Sequence, residues 1–147
     1  MKKVFLVLMV FALAIACTAA LAEEAPAAKE APDPDNYSGV WYCDRASIQI
    51  DWEEEGYRVF IEWSSSAWEH TEWQYSCFYN KENNTLGSLP LGLKTEVVYT
   101  EGSEEPTYTD IYEDGQATFF LDEDGHLIWQ DEKEDAGKDM RFEHISD

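Results

Sequence analysis

Three histidines, His70, His126 and His144, are the side chains best suited to proton transfer near neutral pH, and they lie far apart in the chain. Only Glu69-His70-Thr71-Glu72 gathers acid and base groups densely. It falls between two segments of strand-like pattern and reads as a solvated loop. Ser64-Ser65-Ser66 offers hydroxyls, but no base stands at a spacing that would activate one. There is no P-loop, no Gly-x-Ser-x-Gly elbow and no His-Glu-x-x-His. A facing pair of carboxylates could hydrolyse a glycoside, yet among 31 acidic residues no pair stands out. Asp122-Glu123-Asp124-Gly125 carries the Asp-x-Asp-Gly core of a calcium loop. Phe120 then falls at the first ligand position and Asp131 at the twelfth, where a bidentate glutamate belongs. The segment reads as a hairpin turn. These residues predict a protein that is not an enzyme, with no metal ligand set and no cofactor.

Binding chemistry is better represented. The chain holds 6 Trp, 8 Tyr and 7 Phe. Trp52, Trp63, Trp73, Tyr75, Tyr79, Tyr99 and Trp129 share inward parity in their segments, so they could line a pocket for an apolar or aromatic small molecule or a glycan. The same rings could instead fill a small core. Phe60 and Phe78 fall on the opposite faces of their segments. With Ile61 paired to Cys77 they would sit side by side as an outward docking patch. Charge points to a second partner class. Against 31 acids stand 10 Lys and Arg, a formal net charge of -21. Nucleic acid and bare anionic membrane are repelled by such a chain, whereas a cationic protein, for instance a lysozyme-type enzyme, would be drawn to it.

The positioning elements begin after an export signal. Lys2 and Lys3 precede an apolar run from Val4 to Ala16, and Ala20-Leu21-Ala22 resembles a cleavage site, so residues 1–22 read as a signal peptide. Ala14-Ile15-Ala16-Cys17 resembles a bacterial lipobox with alanine in place of the usual leucine, which makes Cys17 a lipidation candidate. Both routes lead out of the cytoplasm, to secretion or to the cell envelope, with a lipid anchor as the one membrane attachment. Residues 23–36 are acidic and Ala/Pro-rich and read as a disordered leader. One domain, 37–147, remains.

That domain reads as all-β. Ile48, Ile50 and Trp52 alternate with polar residues, as do Tyr57 to Trp63, Trp73 to Tyr79 and Leu93 to Tyr99. Asn83-Asn84, Asp114-Gly115 and Asp124-Gly125 are turn signals between such runs. The expectation is an antiparallel up-and-down meander of about ten short strands, closed or nearly closed into a small barrel by pairing Met140–Ile145 with Val40–Cys43. Gly39-Val40-Trp41 resembles the Gly-x-Trp opening of lipocalins, fatty-acid-binding proteins and avidins. That resemblance implies a basic side chain from the last strand, here Arg141, packed over Trp41 to close one end of the barrel. Cys43 and Cys77 are the two cysteines of the domain, and an exported pair suggests a disulfide. Both share inward parity on non-neighbouring strands, so two buried thiols are the competing reading.

Overall fold

The computed structural model describes residues 32 and 35–145. The signal segment, Cys17 and most of the leader lie outside the described residues. Ten strands are present among them, with no helix: β1 (Gly39–Cys43), β2 (Ala46–Glu53), β3 (Gly56–Ser66), β4 (Glu69–Asn80), β5 (Thr85–Ser88), β6 (Gly92–Val98), β7 (Thr107–Gly115), β8 (Ala117–Leu121), β9 (Leu127–Asp131) and β10 (Glu143–Ile145). All pair antiparallel in one sheet. Its main path runs β10-β1-β2-β3-β4-β5-β8-β9.

The sheet forks at β4. The first half of this long strand pairs with β6, which carries β7, and the second half pairs with β5, which leads on to β8 and β9. The expected pairing of the last strand with the first is present, with Trp41 opposite His144. The sheet nevertheless curls into a half-barrel that is open rather than closed. Its seam lies between β9 and β10. Among the described residues its one backbone bridge is Leu127–Phe142, which exchange hydrogen bonds of 2.9 and 3.0 Å.

Alternation fills the concave side. Ile48 and Ile50 of β2, Tyr57, Val59 and Ile61 of β3, and Trp73, Tyr75 and Cys77 of β4 are all buried. Leu86, Phe119, Leu127, Trp129 and Phe142 meet them from the other branch in one cluster. Asp35, within the expected leader, is already tied to the fold. Its carboxylate accepts hydrogen bonds from the Tyr37 and Ser38 amides, the Ser38 hydroxyl and the Tyr57 hydroxyl. That anchor holds Tyr37 in the core, where its ring packs between Tyr57 and Tyr79.

Four expectations are corrected by this arrangement. Asp114-Gly115 does not turn β7 back onto β8. β7 runs straight through it, with Gly115 opposite Gly92 on β6, and β8 pairs with β5 and β9. Arg141 is not the lid over Trp41. Its guanidinium is committed to Asp122 and Asp124, and the ring on Trp41 is that of His144, 4.7 Å away and edge-on. Cys43 and Cys77 are free thiols. Cys43 stands level with Ala46 at one end of β2, while Cys77 stands level with Tyr57 and Trp52 at the other. The stretch between those levels is about 20 Å along the strand at the usual rise of ~3.3 Å per residue, far beyond the ~7 Å between Cα atoms that a disulfide tolerates. The fourth correction is register. Tyr57, and not Ile61, faces Cys77, so Phe60 lies opposite Gln49 and Gln74.

Candidate functional site

The β2–β3 hairpin ends in a two-residue turn, Glu54-Glu55, between the paired Glu53 and Gly56. Beyond the last full core layer the rings at this end are only partly covered. Trp52 is half-buried and meets the buried Tyr57 edge-on at 4.9 Å. Gly56 allows β4 to approach closely, since a Cβ there would lie 2.6 Å from the Cys77 carbonyl oxygen and 3.4 Å from the Phe78 ring. The result is an open cleft of about 780 Å³ over the hairpin end, walled by Trp52, Tyr57, Cys77 and Phe78 and rimmed by Glu53, Glu54 and Glu55. Arg58 neutralises Glu53 at 2.8 Å. Glu54 and Glu55 have no ion-pair partner among the described residues. Aromatic faces beside free carboxylates suit a cation carried on an apolar stem, such as lysine or arginine. Burial pushes the Cys77 thiol at the cleft floor up to about 12, so it stays protonated and unreactive.

The seven inward aromatics do not surround one cavity. Trp73, Tyr75 and Trp129 are 3% exposed or less and pack on their neighbours: Trp73 on Trp129 at 5.1 Å, Trp63 on Trp73 at 6.4 Å, and Tyr75 on Phe119 at 5.9 Å. Tyr79 is half-buried beyond Cys77 on β4, against Tyr37, and its hydroxyl donates to Asn84 Oδ1. Tyr99 follows β6 onto the outer surface, where it is 43% exposed and its ring lies 5.9 Å from that of His70. Phe60 is half-buried and Phe78 is 39% exposed, and the register keeps them apart. Phe78 instead belongs to the cleft.

Polar heads converge around Trp73. Its indole Nε1 donates to the Tyr112 hydroxyl at 3.1 Å. Lys94 lies over both rings, and Lys133 over Tyr112. Burial, and after it the negative charge of Asp131, pushes the Tyr112 hydroxyl up to about 12. Tyr75 Oη and Trp129 Nε1 are buried here without a hydrogen-bond partner. Asp131, 1% exposed, organises the loop that follows β9. Its carboxylate accepts from the amides of Lys133, Glu134 and Ala136.

Two clusters have the atoms to hold a cation. Asp122, Asp124 and His126 gather at the β8–β9 turn, which is the expected Asp-Gly hairpin, with Gly125 at φ +86°. Arg141 already supplies the charge there, at 2.5 Å from Asp122 and 2.7 Å from Asp124. Partial burial would raise the Asp122 carboxyl, but the His126 amide, Arg141 and the Asp124 amide together pull it down to about 2. The other cluster is Glu62, His70 and Glu72. It lies in strands β3 and β4, and the loop expected for residues 69–72 is part of β4.

Sequence reasoning missed the glutamate rim, because Glu53 to Gly56 reads as an ordinary polar turn. It missed Glu62 because pairing that residue with Glu72 requires the register. Comparisons with protein-family models, with curated proteins and with solved structures found no match to this chain.

Proposed function

We propose that this exported domain is a non-enzymatic, acidic protein-interaction module that engages a cationic partner through the cleft at the end of the β2–β3 hairpin. One observation carries the reading: the partly exposed Trp52 and Phe78 stand beside Glu53, Glu54 and Glu55 in an open cleft, while the interior rings pack against one another. A lysine or arginine laid across Trp52 gains roughly 0.5–2 kcal/mol from the ring face alone. The net charge of -21 adds long-range attraction that speeds encounter.

A ligand held inside the half-barrel, a small apolar or aromatic molecule or a glycan, is the second reading. The Tyr75 hydroxyl and the Trp129 indole Nε1, buried without a hydrogen-bond partner, favour it, since polar groups of a ligand could satisfy them.

Stopped-flow association with a basic lysozyme-type enzyme separates the readings. A charge-steered module loses association rate by about 10-fold or more from low to physiological ionic strength. Glu54→Gln with Glu55→Gln flattens that dependence, and Trp52→Ala raises the dissociation rate. Binding insensitive to salt and to all three substitutions would overturn the docking reading.

A further inference from the structure

Glu62 on β3 stands directly opposite Glu72 on β4, and His70 lies two residues before Glu72 on the same outer face. His70 Nε2 is 3.0 Å from Glu72 Oε1, and the two side chains are only 13% and 19% exposed. One ligand atom from each of Glu62, His70 and Glu72 lies within 4.8 Å of the other two. The surroundings lower the local polarity. Val97, fully buried, faces His70 from β6, and the Tyr99 ring lies alongside the imidazole.

Like charges directly opposite in a ladder destabilise it, and partial burial sharpens the effect. Among the described residues, no lysine or arginine forms an ion pair with Glu62 or Glu72. The contrast with the β8–β9 turn is direct. There Arg141 compensates the two aspartates, whereas here two half-buried carboxylates and an imidazole converge with no protein cation between them.

We propose that Glu62, His70 and Glu72 form a divalent transition-metal site of the zinc class, with the remaining coordination positions open to water. Mixed imidazole and carboxylate ligands suit zinc, whereas calcium and magnesium take oxygen ligands. Bonds of about 2.0–2.1 Å place tetrahedral ligand atoms about 3.3 Å apart. His70 and Glu72 nearly meet that spacing, and side-chain rotation brings in Glu62. Thr95, opposite Glu72, donates to Asp110 at 2.9 Å and extends the polar row across the sheet. The site lies at the other end of β3 from the cleft, so it does not rest on the docking reading.

Calorimetric titration of the chelator-treated full chain with zinc, in excess calcium to occupy weak surface carboxylates, tests this site. The expected result is one zinc per chain, with affinity reduced about 100-fold by His70→Gln and comparably by Glu62→Gln. His126→Gln leaves the affinity unchanged. Zinc should also raise the melting temperature of the wild type and not that of Glu62→Gln, the near-isosteric variant that serves if His70→Gln fails to fold. Absence of binding, several equivalent weak sites indifferent to these substitutions, or loss with His126→Gln alone would each overturn the proposal.

Discussion

A single methyl group is enough to probe how tightly this core is filled. Gly137 lies in the loop after β9 against Trp129. A Cβ there would fall 2.5 Å from the Trp129 carbonyl oxygen and 2.6 Å from its ring. Neither neighbour can withdraw, because Trp129 is 1% exposed and in contact with Trp73. Gly137→Ala is expected to destabilise the fold by about 1–3 kcal/mol, and urea unfolding measures it. Gly87 has open space where its Cβ would be, so Gly87→Ala is the control and should be close to neutral. Residue identity was legible at this scale wherever period two held. The inward parity of Trp73, Tyr75 and Cys77 places all three in the core. It failed at Tyr99, because the residues whose parity Tyr99 shares, Leu93, Thr95 and Val97, pair with Gln74, Glu72 and His70 on the outer face of β4.

Strands were legible as elements, and their partners were not. The ten segments recur nearly where the alternation puts them, because burial on one face imposes the pattern locally. Register depends on where the chain turns. Reading Glu69–Glu72 as loop leaves room for Ile61 against Cys77, whereas β3 continues through Ser66, the chain turns at Ala67-Trp68 and β4 begins at Glu69. That tighter turn shifts the pairing by four residues, which separates Phe60 from Phe78 and brings Glu62 to Glu72. Asp114-Gly115 misleads for a different reason. The pair is compatible with a tight turn but does not require one, and the close approach of Gly92 explains why a glycine stands at 115. The consequence is that β7 pairs with β6 alone, with Tyr108 63% exposed and Ile111 47% exposed. This edge is paired on one side only and is largely exposed, so its amides should exchange by local opening, orders of magnitude faster than those of β3, which is paired on both sides. Hydrogen exchange followed residue by residue would show this. Equal protection of β7 and β3 would mean that the β6–β7 branch is as firmly held as the main path.

For the whole molecule, alternation and turn signals indicated an acidic all-β domain, and the pairing of both sheet edges suggested a closed one. Closure depends on geometry that no local pattern encodes. The loop after β9 is pinned by Asp131, and only Phe142 reaches Leu127 before β10 turns to β1. The interior rings of the half-barrel pack on one another, and the proposed docking function therefore rests on the acidic exterior. Native mass spectrometry of the protein, beside a denatured spectrum, decides between this reading and a ligand held in the interior. The expected native mass equals that of the bare chain, carrying the hydrogens of both free thiols, Cys43 and Cys77. An added mass of a small organic molecule that denaturation releases would contradict it, and would place the ligand inside the half-barrel.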